Sequence, residues 1–518
     1  MKSMSRLLTV IAGAFAATTF AAHTAPPDDT LVIALSADAA TLDPAQLDSR
    51  DNINIAQHIF QTLYAQNGEG KFVPQAADSY SVSDDGLEYT FKLKPNMKCE
   101  DGEPLDGEAA AYSFMRPADP AGKFTGDTTG YVFPAIGFKK AEAINATEFK
   151  VTIAHRTPTA FALINEVFLH CKAGYEKMSP EEAVEHPIAS GPYKLISWDH
   201  GSQIVLQKWK EPATFKTIIW RIIPEASTRS AELIAGNVDI ITNVAPDQID
   251  AINNSGSSEV KAVQGTRRIY VGFNTSKDFA STPGGAAIQK KDVRQALQYA
   301  VDVPTICKQL LSFACTRATG PVNPPEENHS LQPYPYDPIK AEKMLDDAGY
   351  PRGADGVRFN IVMQGPRGRY LNDVNVEMAI GQYLNDIGVK TDVQPMEWAS
   401  VYSPLVGKKA AGPLFFIGSG GSLGNAPLDL SIFSTPDAST NNTNWTNPDF
   451  FAGWDKVNNA KADAERRSAI DAMLQTFYED PPWLLLYFQP DFYGVSKRVD
   501  FTPPGNERVY LFDTKLTK

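Results

Sequence analysis

Near residue 270 the chain begins a second run of short apolar strands alternating with well-marked helices, and this restart limits the available folds more than any other feature. RRIYVGFNT predicts a strand, and KKDVRQALQYAVD a helix with Val293, Leu297 and Ala300 on one face. In YDPIKAEKMLDDAGY, Asp337 suits a helix N-cap, Pro338 the first helical position and Gly349 the stop. RFNIVMQ predicts a strand. LNDVNVEMAIGQYLNDIGV predicts a helix with Leu371, Val374, Met378 and Leu384 on one side and Gly388 closing it, with KTDVQPME and PLFFIG as further strands. Alternation of this kind marks an α/β unit.

The first half reads differently. TLVIALSADAATLDP gives a strand and a loop ending at Asp43-Pro44, and NINIAQHIFQTLYAQ a helix with Ile55, Ile59 and Leu63 in register. In SDDGLEYTFKLKPNMKCEDGEPL, Leu87, Tyr89, Phe91 and Leu93 alternate with Glu88, Thr90, Lys92 and Lys94 between Asp85-Gly86 and Asp101-Gly102 turns, which predicts a half-buried antiparallel strand. Residues 192–198 and 203–207 form a hairpin around DHGS. TIIWRIIPE and the helix STRSAELIAGNVDII, ended by Gly236, then imply a crossover onto one sheet. At 518 residues, two or three packed units are expected.

The net charge of -13 and the lack of a Lys/Arg cluster exclude a nucleic-acid surface. Residues 1–25 carry Lys2 and Arg6, then an apolar run from Leu7 to Ala22 and small residues, the three parts of a secretory signal peptide. No later segment approaches the about 20 apolar residues of a membrane span. No cysteine adjoins the cleavage region, so there is no lipobox and the expected location is the periplasm. Cys307 and Cys315 are close enough to bridge a helix end and its turn, and disulfide and buried thiol both stay open there.

Motifs for chemistry are few. Residues 420–424, GGSLG, match the nucleophile-elbow pattern, so an exported hydrolase built on Ser422 is a rival reading. Its triad needs a His after the Ser, and the last His is His329. Pro427 also falls where the elbow's helix should start. The scattered histidines give no metal spacing, no phosphate loop is present, and no catalytic residue, metal or cofactor is expected. In an open α/β sheet, ligands settle at the carboxyl ends of strands. The loops after RFNIVMQ and PLFFIG are therefore of interest, the first with Arg367 and Arg369, either able to grip a carboxylate.

The stretch TLDPAQLDSRDNINIAQHIFQTLYAQNGEGKFVPQAADSYSVSDDGLEYTFKLKPNMKCEDGEPL resembles the opening of extracellular solute-binding protein family 5, the peptide and nickel class of ABC-transporter binding proteins. SGPYKLISW, STRSAELIAGNVDI, VRQALQYAVD, PYPYDPIKAEKMLDDAGYP, GRYLNDVNVEMAIGQYLNDIGV and YGVSKRV resemble its later blocks in order. The resemblance implies a two-lobed α/β periplasmic binding protein (type II, cluster C-like) with a small extra β-rich subdomain. Lobe I would be 28–270, with the subdomain at about 75–190, lobe II 271–489, and 490–518 a return to lobe I. It further implies capture of a small peptide or peptide-like solute by hinge closure, an ABC permease as partner and a monomeric, non-enzymatic protein. Within the same role, a nickel complex, haem, oligosaccharide or opine is the alternative ligand. A sensor or chaperone partner using the same closure is a third reading.

In peptide-binding members an Asp after the strand resembling PLFFIG holds the amino group, and an Arg in the loop resembling QGPRGRY holds the carboxylate. Arg367 fits the second role. The first departs from pattern, with Ser419 or Ser422 where an acid is expected and Asp429 late. From lobe I, Ser49, Arg50 and Asp51 occupy the loop that faces the cleft in similar proteins. Trp398, Tyr402, Trp483 and Tyr487 are candidate aromatic walls.

Overall fold

The structure, a computed structural model, describes residues 26–67, 71–313, 315–420, 425–438 and 440–517. Ten strands form its main sheet: β1 (Thr30–Leu35), β2 (Tyr193–Asp199), β3 (Gln203–Lys208), β4 (Thr217–Ile222), β5 (Ile240–Ile241), β6 (Ser258–Phe273), β7 (Phe359–Arg367), β8 (Val389–Glu397), β9 (Leu414–Ser419) and β10 (Trp483–Ser496). Their order is β8-β7-β9-β6-β10-β5-β1-β4-β3-β2. β1 lies parallel to both β4 and β5, and β7 parallel to both β8 and β9. Parallel neighbours bury both faces of a strand, which is why TLVIAL is apolar without a break. Leu31, Ile33 and Leu35 enter one hydrophobic cluster, and Val32 and Ala34 enter another on the opposite face.

Packing separates the molecule into two lobes. One large cluster runs from Leu31 to Ile240 and is completed by Tyr493, Val495, Val499, Phe501, Val509 and Leu511. The other runs from Ile269 to Phe488. The chain passes between them in β6 and β10, which lie antiparallel side by side. Their register breaks where the clusters change: Gln264 faces Pro490 and Arg268 faces Phe488, so Gly265, Thr266 and Arg267 stand opposite Gln489 alone. Such a bulge bends and twists the ribbon. A Cβ on Gly265 would lie 2.2 Å from the Gln489 carbonyl oxygen, so the close approach needs glycine.

The first lobe carries a separate antiparallel sheet of Ala77–Val82, Glu88–Leu93, Glu148–Ile153 and Phe138–Asn145, in that order. In Glu88–Leu93 the residues Tyr89, Phe91 and Leu93 are buried, as the alternation predicts. Cys99 is bonded to Cys171 beside this sheet, and Cys307 to Cys315 in the second lobe.

Helix limits follow their caps. Asp337 accepts from the Lys340 N–H at 2.9 Å, with Pro338 at the first position of Pro338–Asp347 and Gly349 at φ +89°. The helix Asp373–Asp386 corrects the sequence reading of its face. Val376, Ile380 and Leu384 are buried, together with Asp373 and Glu377, whereas Met378 is 53 % exposed. Two acids on the inner face disguised the stripe. The helix Ala426–Leu430 carries Pro427 in its first turn, a position that tolerates proline, so Pro427 does not bar a helix there as the sequence reading held.

Candidate ligand-binding cleft

Beside the β6/β10 crossing lies a polar chamber of about 680 Å³. Loops at the carboxyl ends of three parallel strands open onto it: Ser36 after β1, Thr242 to Val244 after β5, and Gly368 to Leu371 after β7. β10 contributes Gln489 to Tyr493 as a floor, and Arg267 enters from the bulge of β6. A side chamber of about 250 Å³ shares Arg50, Ile53 and Asp127 with the first and continues toward Phe72, Glu166, Gly420, Asp429 and Arg508.

The first-lobe wall is the start of helix α1 (Arg50–Ile59). Ser49 is its N-cap, accepting from the Asn52 N–H at 3.3 Å, which turns Arg50 and Asp51 of the first turn into the chamber. Arg50 is half-buried between two ion pairs, and among the described residues its guanidinium makes no hydrogen bond. Burial and the neighbouring Arg508 hold its pKa below the ordinary arginine value. One flanking pair is Arg508–Glu166 at 2.6 Å. The other is Arg267–Glu507, bidentate with both contacts at 2.7 Å.

Glu507 is over-determined. Its backbone lies at φ +60°, rare for a residue with a side chain, and its N–H donates to Asp491 Oδ2 at 3.0 Å. Its carbonyl accepts from Asn54 Nδ2 at 3.2 Å, fastening the segment to α1. Burial pushes its carboxyl up, but the Arg267 charge and hydrogen bonds, with Arg50 and Arg369, more than offset this and hold it below the usual range. Asp491 goes the other way: burial and the Glu507 charge raise it to about 7, against the Glu507 N–H and Arg267. Asp51 is raised to about 6, by burial and then Glu507, with Arg229 and Arg369 pulling it down.

The second-lobe wall is the loop after β7. The Asp373 carboxylate accepts from the N–H groups of Gly368, Arg369 and Tyr370 at 3.1, 2.7 and 3.1 Å, and Gln489 Oε1 accepts from the Leu371 N–H at 3.1 Å. Thus pinned, the loop presents the Arg369 guanidinium 5.4 Å from the Tyr370 ring centre and 5.3 Å from that of Trp398.

Of the residues singled out from sequence, Ser49, Arg50, Asp51 and Arg369 line the main chamber, and Trp398 backs Arg369. Arg367 is exposed outside that lining. Tyr402 and Tyr487 are core residues, 0 % and 1 % exposed, rather than walls; Tyr402 spends its hydroxyl on the Phe416 carbonyl at 2.7 Å. Trp483 is equally buried, stacked on Tyr270 at 3.7 Å. Ser419 Oγ accepts from Arg268 Nε at 3.2 Å. Asp429 lines the side chamber at 1 % exposure, paired with Arg268 at 3.4 Å and accepting from the Asn323 N–H at 2.8 Å. Ser422 lies outside the described residues. Sequence reasoning missed Arg267, Asp491, Glu507 and Asp127. Among the described residues no group of three His, Cys, Asp or Glu is placed to hold a metal ion.

Comparison with known proteins agrees with this geometry. The chain is 28% identical over 480 residues to the glutathione-binding protein GsiB of Shigella dysenteriae, covering 88% of each. It superposes on HbpA2 from Haemophilus parasuis with a TM-score of 0.81 at 22% identity, covering 94% of this chain and 100% of that one. It also superposes on the periplasmic binding protein DppA of Helicobacter pylori, solved with the peptide STSA, with a TM-score of 0.78 at 21% identity and 94% and 98% coverage. The profile of the bacterial extracellular solute-binding proteins, family 5 (middle region), matches residues 71–441, most of the chain. The matched profile covers well over half of the sequence, and the chain belongs to the family 5 bacterial extracellular solute-binding proteins.

Proposed function

We propose that this protein captures a short peptide or peptide-like zwitterion between its lobes and delivers it, by hinge closure, to the permease of an ABC importer. One observation carries the reading: a chamber of about 680 Å³ beside the strand crossing is faced by the Asp51 carboxylate from the first lobe and that of Asp491 on the floor, neither in an ion pair among the described residues, and by the Arg369 guanidinium from the second lobe. A ligand with charges of both signs answers both walls, and closing the lobes brings both to it. The lobes are 28–270 with 490–518, and 271–489; the change of hydrophobic cluster between Tyr493 and Phe488 supports the return. The protein works in the periplasm after export on residues 1–25, as a monomer and without catalysis. The names of relatives that bind glutathione and the peptide STSA support this ligand class.

Native mass spectrometry of protein isolated from its own periplasm tests the reading. A released mass fitting a small peptide or peptide conjugate is expected, together with loss of its uptake when the gene is deleted. A released sugar or metal chelate, with peptide uptake intact in the deletion strain, overturns it.

A further inference from the structure

We propose that the ligand's ammonium group is held on the first-lobe side of the cleft, by Asp491 on the floor and Asp51 on the wall, while its carboxylate reaches Arg369 across the gap. The assignment rests on the peptide-like reading above and names the subsite that discriminates within it.

The second lobe offers no free acid for this task among the described residues of the cleft. Asp429 is 1 % exposed and bound to Arg268 and the Asn323 N–H. Asp373 spends its carboxylate on four backbone N–H groups, those of Gly368, Arg369, Tyr370 and Val374. Every acid lining the main chamber stands on the first-lobe side or the floor. Of these, Glu507 is clasped by Arg267, Asp48 accepts from Asn52 Nδ2 at 3.1 Å, and Asp127 is exposed, its carboxylate open to water. Asp491 and Asp51 remain. Asp491 is 8 % exposed; its Oδ2 accepts one N–H, and no hydrogen bond reaches Oδ1 among the described residues. Neither oxygen of Asp51 receives one among the described residues.

A buried carboxylate short of donors is held near its protonation point, as Asp491 is, and ionises fully once a cation brings N–H donors to it. A primary ammonium brings three. Opposite, Arg369 lies on two aromatic faces with no acid partner among the described residues, its planar fork open to a carboxylate. The ligand class is a solute with an unblocked primary amine and a carboxylate at opposite ends. The amine anchor has moved from the second-lobe loop after β9 to the first lobe and the crossing strand.

Calorimetric titration of the full mature chain with glutathione and N-acetyl-glutathione, and with the tetrapeptide STSA and its N-acetyl form, tests this. In the wild type the acetylated member of whichever pair binds is expected to be at least 100-fold weaker. Asp491→Asn and Asp51→Asn should each compress that ratio to below tenfold, with affinity for the acetylated member unchanged, which also shows that the variants are folded. Equal binding of both members by the wild type overturns the subsite and leaves the peptide reading standing. So does discrimination that survives both variants and disappears in Asp429→Asn. If neither pair binds and the ligand released from native protein has no amine, the peptide reading falls and this assignment with it.

Discussion

Asp491 is the one charged residue in the fourteen-residue strand WLLLYFQPDFYGVS, and burial makes it costly to ionise there. The stability consequence has a definite sign. The folded group titrates near 7 against an ordinary 3.8, so between those values the folded chain keeps a proton that the unfolded chain has lost, and stability falls as pH rises through the window. Free Asp491→Asn protein should therefore melt above wild type at pH 8, with the difference closing below pH 4; equal melting at both pH values would show that the group is not buried as a carboxylate. A lone charge in an apolar strand was a signal available in the sequence, and it went unread because the resemblance pointed to loops. Glu507 and Arg267 carried no such signal, being 240 residues apart and joined only by the return of the C-terminal segment to α1. Arg367 and Arg369 differ only in how the loop turns: Asp373 fixes the backbone so that Arg369 enters the chamber. Arg369→Ala should weaken whichever of glutathione and STSA the protein binds by about 2 kcal/mol or more, roughly thirtyfold, while Arg367→Ala changes it less than threefold, both read by titration calorimetry. The reverse ranking would return the carboxylate role to Arg367.

Among the elements, what was legible followed from local rules. The Asp337-Pro338 start, the Gly349 stop and the alternation of Glu88–Leu93 need only neighbours in sequence. The face of Asp373–Asp386 was misread because its inner side holds Asp373, which pins the preceding loop, and Glu377, whose fully buried carboxyl is pushed up to about 9, chiefly by burial. The bulge of β6 was not legible, since a register shift is a property of two strands more than 200 residues apart. Gly265→Ala tests its packing: a methyl 2.2 Å from the Gln489 carbonyl should cost about 1–3 kcal/mol in urea unfolding, and an unchanged midpoint would mean that the bulge yields freely. The pairing of Cys99 with Cys171 was likewise invisible. It closes a separation of 72 residues against 8 for Cys307–Cys315. Loop entropy then makes the first worth about 4 kcal/mol and the second about 2.5, so Cys99→Ser/Cys171→Ser should lower stability more than Cys307→Ser/Cys315→Ser, as denaturant titration would read.

For the whole molecule, the decisive juxtaposition is of two consecutive arginines fastened to opposite lobes. Arg267 is clasped by Glu507, which hydrogen-bonds to α1 of the first lobe. Arg268 reaches the other way, to the carbonyls of Pro321 and Gly420 and to Ser419 and Asp429. The ladder is already broken between these two anchors, with Gln489 opposite the break and its side chain holding the Leu371 N–H, so a rotation between the lobes is expected to be taken up there. A ligand drives closure only as far as it binds the closed form better than the open one. Among the described residues the second lobe's charged contribution to the main chamber is Arg369, so much of that difference is expected to reside in one guanidinium. A saturating amount of whichever of glutathione and STSA binds should lower the radius of gyration of the wild type in small-angle X-ray scattering. Arg369→Ala, given enough peptide to saturate it, should fall by a smaller amount, because ligand held by the first lobe alone binds open and closed forms nearly alike. If the variant closes as fully as the wild type, the closing energy comes from elsewhere in the second-lobe wall and Arg369 contributes affinity without coupling it to the hinge.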